Sequence, residues 1–102
     1  MTDKELLRFV TSFRFGMLGH KKGSKYCYMV CLPLVSLLKY EGVDVELIEG
    51  DVCYYRYWIG HYWLRLKDGR IIDPTAEQFE TDKRPMPRVY LGKKPRWYRV
   101  SK

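Results

Sequence analysis

No apolar run in this chain approaches the ~18 residues that would suggest a membrane span. The N-terminus, MTDKELLRFVTSF, mixes acids with its bases and has no long apolar stretch, which argues against a secretory signal. There is no internal repeat and no low-complexity tract. Cysteine is scarce and odd in number: Cys27, Cys31 and Cys53 cannot all pair within one chain. These absences predict a protein made and used in a cytoplasm, with its cysteines as thiols. Such a thiol is a buried small hydrophobe unless a site recruits it as a nucleophile or a metal ligand. With 102 residues there is room for one modest core and not for two, so residues 1–102 are expected to form a single domain.

Acid is nearly absent from one end. Residues 1–80 balance 11 Lys/Arg against 11 Asp/Glu, whereas residues 81–102 hold eight Lys/Arg against Asp82 alone. The whole formal charge of +7 therefore sits in that C-terminal segment. Glu41, Asp44, Glu46, Glu49 and Asp51 crowd another stretch without a base. This polarisation can steer partners. The basic segment suits an acidic protein or peptide, or, with Tyr90, Trp97 and Tyr98 interleaved, nucleic acid. No membrane partner is expected.

The order of elements predicts an α+β domain, N-terminal helices packed on an antiparallel β-sheet. KELLRFVTSF (4–13) spaces Leu6, Leu7, Phe9, Val10 and Phe13 along one face of a short helix. GMLGHKKGSK (16–25) is a Gly-rich basic loop. Ser24 is placed to cap a following helix, CYMVCLPLVSLLKYE, which Gly42 ends and Pro33 should kink. VDVELIEG (43–50) alternates as a strand, VCYYRYW (52–58) is β-branched and aromatic enough for a second, and residues 61–66 and 70–73 form a hairpin around Asp68-Gly69. Thr75 and Gln78 have the spacing of a capping box. The segment beyond Arg84 is expected to hold a strand near Arg88–Leu91 and then an extended basic end.

The Asp68-Gly69 turn decides whether His61 and Asp73 can cooperate. A two-residue loop pairs Lys67 with Arg70 and puts His61 and Asp73 on opposite faces. A three-residue loop with Gly69 left-handed pairs Leu66 with Arg70 and Trp63 with Asp73. His61 then lies diagonal to Asp73, about 7 Å between Cβ atoms. The second register also groups Tyr62, Leu64 and Leu66 with Ile72 as an apolar set on the other face. Pro74 holds Asp73 extended. The plain alternative is Asp73 as a helix cap with Pro74 after it, although a Thr75–Gln78 box would leave Asp73 free.

A thiol at a helix N-terminus is activated, because unpaired N–H groups and the helix dipole stabilise the thiolate. Cys27 falls there after Ser24, on a helix expected to pack on the face bearing His61. Cys31, one turn further in, should be packing, and Cys53 lies in a strand. A helix-opening cysteine, a helix-ending glycine, a strand, His-x-Trp, and then DG-R-II-DPT together resemble the papain/transglutaminase-like cysteine protease superfamily. Within it the pattern is similar to small bacterial and phage transglutaminase-like proteins, including the lasso-peptide leader peptidases. In that pattern the nucleophile stands as far ahead of the glycine as Cys27 does, 15 positions before Gly42, against 11 for Cys31.

The resemblance covers roughly residues 23–80. It implies Cys27 as nucleophile, His61 as general base and acid, and Asp73 as the group that orients His61. Trp63, Ser24 and Thr75 are implied as supporting residues, and no cofactor or metal is needed. The implied activity is thiol-dependent acyl transfer on a protein or peptide amide, as a peptidase, deamidase or transglutaminase. Tyr62 stands where the family has a small residue, and HKKGSKY offers no Gln or Asn ahead of Cys27 as an oxyanion donor. The competing readings are an inactive member acting through protein contacts, a nucleic-acid module built on the basic segment, and a Cys27/Cys31/Cys53/His61 zinc set.

Overall fold

Thr2 starts the first helix by a capping box, its hydroxyl accepting from Glu5 N–H while the Glu5 carboxylate accepts from Thr2 N–H. The computed structural model describes residues 1–23 and 25–101. Helix α1 (Asp3–Leu18) runs past the expected end at residue 13 and stops at Gly19, whose φ is 60°. Its buried residues Leu6, Val10, Arg14 and Leu18 recur every fourth position. Helix α2 (Cys27–Tyr40) closes on a Schellman motif: Val43 N–H donates to Leu38 O, Gly42 N–H donates to Lys39 O, and Gly42 takes φ 83°. Pro33 stays inside α2, which runs unbroken around it.

Five antiparallel strands follow: β1 (Val45–Tyr54), β2 (Tyr57–Leu66), β3 (Ile71–Asp73), β4 (Tyr90–Gly92) and β5 (Tyr98–Val100). They lie in the order β4-β3-β2-β1-β5. The expected strand over 52–58 is instead the end of β1, a two-residue turn at Tyr55-Arg56, and the start of β2. Tyr55 takes a φ of 58°, the conformation glycine normally supplies at that turn position. Gly50, expected as a strand end, is mid-strand. A Cβ there would overlap the Arg99 carbonyl oxygen and the Trp63 ring.

The β2–β3 turn adopts the three-residue form. Leu66 N–H donates to Arg70 O, Gly69 has φ 93°, and the ladder pairs Leu64 with Ile72 and Arg65 with Ile71. Leu64, Leu66 and Ile72 therefore share one face of the sheet, where they pack with Leu6, Val10, Cys31, Leu34 and Leu38 of the two helices. The other face carries Ile48, Val52, Trp63 and Ile71 under Ala76, Phe79, Met86 and Tyr98. It is covered by a 3₁₀ turn (Ala76–Phe79) and by the C-terminal segment. The strand expected near Arg88–Leu91 is present as β4, and the extended basic end expected after it contributes β5, so residues 81–101 supply both edge strands. No helix among the described residues is long and apolar enough to cross a membrane.

Gly50→Ala should push β5 and the Trp63 ring apart. The expected loss is about 1–3 kcal/mol, the range of an overpacked core, read from urea denaturation midpoints at unchanged m-value.

Candidate active site

Continued, the pairing of Leu64 with Ile72 would put Tyr62 opposite Pro74, and Pro74 has no N–H to offer. The β2–β3 ladder ends at Ile72 and β3 itself at Asp73, so both backbone polar groups of Tyr62 are left on an open strand edge. The first turns of α2 dock there. The Cys31 thiol donates to Tyr62 O at 3.6 Å, and the Tyr62 backbone acts on the Cys27 thiol as a donor. The helix body packs on the face opposite His61, which corrects the expected placement. Cys27 meets His61 not from above the sheet but at the strand edge beside it.

His61 and Asp73 share the other face, as the three-residue turn requires. His61 Nε2 donates to Asp73 Oδ2 at 2.7 Å, with both side chains fully buried. The same oxygen accepts from Tyr98 OH at 2.6 Å. Asp73 Oδ1 accepts from Thr75 N–H at 3.0 Å and from the Thr75 hydroxyl at 3.4 Å. Asp73 is not the helix cap that Pro74 suggested, since Thr75 holds the cap position of the 3₁₀ turn; one of its oxygens shapes a local turn and the other bonds His61. Four donors leave no lone buried charge on it. The Phe79 ring stands edge-on to His61 at 4.6 Å and Trp63 lies 6.0 Å away, so the imidazole is walled by aromatics.

Ser24 lies outside the described residues, and α2 begins at Cys27 with Tyr26 in the cap position and no side-chain cap. Just before it, Lys25 holds a φ of 72°. The first-turn N–H groups of α2 are without helical acceptors. The Thr75–Gln78 box does not form: Thr75 makes no side-chain cap, and Gln78 Nε2 donates to Thr75 O at 3.2 Å and Oγ1 at 3.0 Å. That amide nitrogen also stands 3.4 Å from His61 Nδ1, the ring nitrogen that Asp73 leaves free. Behind it, Arg14 is buried and pairs with Glu77 next to Gln78, and Glu77 also accepts from Gly23 N–H at 2.7 Å. The loop ahead of Cys27 is thereby tied to the 3₁₀ turn.

Electrostatics set the protonation. Half-burial opposes a Cys27 thiolate, but the hydrogen bond and charge of His61 outweigh it. Backbone donors at Tyr62 and Tyr28 help, and the thiol is held below its ordinary value. Burial likewise opposes an imidazolium, yet the Asp73 charge and hydrogen bond, with Cys27 behind them, push His61 up to about 9. Burial drives the Cys31 thiol well above its ordinary value, with the nearby Asp73 and Cys27 adding to it. Burial and the Asp73 charge also raise Tyr98, which keeps it a donor. Cys53 faces elsewhere, its sulfur bonding Tyr55 O at 3.4 Å. Among the described residues no three His, Cys, Asp or Glu side chains converge as a metal site, so the zinc set is not assembled.

Two members of this site escaped the sequence reading. Tyr98 is 37 positions from His61 and looked like part of a solvated basic end. Gln78 carried a local signal, but it was the signal of a cap. Tyr62 lies on the helix face, as the three-residue register places it, edge-on to Tyr28 at 4.7 Å between ring centres. No family model, curated protein or solved structure matches the chain.

With His61 raised and Cys27 lowered, the thiolate–imidazolium pair occupies the window between the lowered thiol value and about pH 9. Iodoacetamide at pH 6.5 should therefore alkylate Cys27 ahead of Cys53 and Cys31. Asp73→Asn removes the charge that raises His61, so the imidazolium is lost at lower pH and the thiolate appears at higher pH. The rate at pH 6.5 should fall by ~10-fold, the effect of a one-unit shift. Tyr98→Phe leaves the buried carboxylate one donor short and should lower stability by about 1–3 kcal/mol in denaturant titrations.

Proposed function

We propose that this chain is a thiol-dependent acyl-transfer enzyme of the papain/transglutaminase-like type, acting on a protein or peptide amide. What supports it above all is the apposition of a helix-opening thiol, held below its ordinary pKa, to an imidazole fixed by a fully buried, fully hydrogen-bonded carboxylate. A structural histidine needs a partner, but it does not need a half-buried cysteine at a helix start on its free side.

The chemistry follows from these positions. The Cys27 thiolate attacks the amide carbonyl carbon, and the carbonyl π electrons move to oxygen. First-turn N–H groups of α2 stabilise that oxyanion. Gln78 Nε2, on the Nδ1 side of His61, turns one of its two N–H groups from Thr75 to that oxygen and so supplies the side-chain amide that HKKGSKY lacks. The C–N bond then breaks as the imidazolium gives its proton to the leaving amine, leaving a Cys27 thioester and a neutral imidazole. A water or a second amine, deprotonated by His61, attacks the thioester and returns the thiolate. Asp73 holds Nε2–H and leaves Nδ1 as the ring nitrogen that exchanges the proton. The second nucleophile decides between hydrolysis, deamidation and cross-linking.

The basic segment is less suited to carry the function alone. Tyr98 is committed to Asp73, and the Tyr90 hydroxyl donates to Lys93 O at 2.6 Å, so two of its three interleaved aromatics are engaged internally.

Acylation by 4-nitrophenyl acetate tests this reading without a known substrate. Wild-type protein should release about one equivalent of nitrophenolate in a burst, and Cys27→Ala should abolish it. Gln78→Ala should slow acylation by ~10²-fold, as loss of an oxyanion donor does, while alkylation by iodoacetamide stays within about twofold because that displacement forms no oxyanion. Acylation of Cys27→Ala at the wild-type rate would overturn the enzyme assignment.

A further inference from the structure

Beside the turned end of the β1–β2 hairpin, a cavity of about 440 Å³ is lined by Cys53, Trp58, Lys83, Arg84, Arg96 and Trp97. Three of these six are cations and none is an acid. Arg84 is half-buried. Its Nη2 donates to Cys53 O at 2.8 Å and to Phe79 O at 3.1 Å, and its guanidinium lies 4.7 Å from the Trp97 ring centre. Carbonyls and a ring face orient this cation but bring no negative charge. Among the described residues Lys83, Arg84 and Arg96 make no salt bridge, although five other basic side chains do. Two buried donors on the cavity residues, Arg84 Nε and Trp97 Nε1, have no acceptor. A partly desolvated cation without a counter-charge and two orphaned donors both call for an acceptor that carries negative charge.

We propose that this cavity is an anion site that takes a carboxylate side chain from an acidic segment of the polypeptide substrate. The shared chemistry is an oxyanion held by Lys83, Arg84 and Arg96, with a small rotation of the Arg84 and Trp97 side chains bringing their sealed Nε and Nε1 donors to it. The choice of a polypeptide rests on the acyl-transfer reading. Trp58 and His61 are three residues apart on β2, about 10 Å along the strand and on opposite faces, so an extended chain that rounds the hairpin end can hold a carboxylate here and present an amide to the thiol. Phe79 joins the two places, since its carbonyl accepts from Arg84 and its ring stands against His61. Single-stranded nucleic acid is disfavoured by the aromatic faces: Arg99 already covers Trp58 at 4.0 Å, and Arg84 covers one face of Trp97. Bases need such faces free for stacking.

Binding to the Cys27→Ala protein, followed by tryptophan fluorescence, tests the site without turnover. The probes are a capped hexaglutamate peptide, inorganic phosphate and an oligothymidylate. Hexaglutamate should bind saturably, weaken as salt is raised, and be displaced by phosphate. Lys83→Ser with Arg96→Ser should weaken it by at least about tenfold. Arg84→Met should do the same, and the double variant decides if Arg84→Met folds poorly. No saturable hexaglutamate binding, binding indifferent to the double variant, or an oligothymidylate that hexaglutamate cannot displace would overturn the proposal. These failures would leave wild-type acylation of Cys27 intact, whereas a silent Cys27 with a working anion site would sink the enzyme reading alone.

Discussion

The end of one short strand organises the site. Ile72 is the last residue that β3 pairs to β2: Asp73 pairs with Tyr90 of β4, and Pro74 beyond it can neither donate to Tyr62 nor continue the ladder. An unpaired N–H and C=O on an inner strand would be costly if buried without partners. Here the first turns of α2 take them up, Cys31 bonding the carbonyl and Cys27 resting against the N–H. The same proline holds Asp73 extended beneath His61. One backbone constraint thus seats the thiol, aims the carboxylate and leaves the imidazole between them.

Asp73 then couples distant parts of the chain. Its two oxygens draw donors from Thr75 beside it, His61 on β2 and Tyr98 on β5. A buried carboxylate with these partners is stable as a charge, and losing one donor exposes the desolvation of the rest. The basic C-terminal segment is therefore part of the site's architecture. Its strands close both edges of the sheet, its tyrosine anchors the acid, and its unpaired cations gather around one cavity. Charge at that end and chemistry at the strand edge belong to one continuous structure, linked through Phe79 and Arg84.

Where sequence inference succeeded, the controlling interaction was local. Gly69 permits the left-handed residue that sets the register, and the register puts His61 over Asp73. Gly42 ends α2 by bonding Lys39 O, three positions back, and by turning the chain so that Val43 bonds Leu38 O, five positions back. Where it failed, distant contacts overrode local preference. Tyr55 holds a glycine-like φ within a hairpin that ten strand pairs enforce, so no turn residue marked it. Thr75 and Gln78 looked like a cap, but Asp73 and His61 offered their side chains other partners.

The sequence by itself determined the α+β class and the two helices, which rest on periodicity and on a helix-ending glycine, and it narrowed the β2–β3 register to two choices through the Asp68-Gly69 turn. Only the tertiary structure decided which face α2 covers, how Cys27 reaches the imidazole, and that Tyr98, Gln78 and Arg84 matter. Those outcomes depend on which buried donors and acceptors find partners across the sheet. That matching is made between residues tens of positions apart, and no pattern within a short window of sequence encodes it.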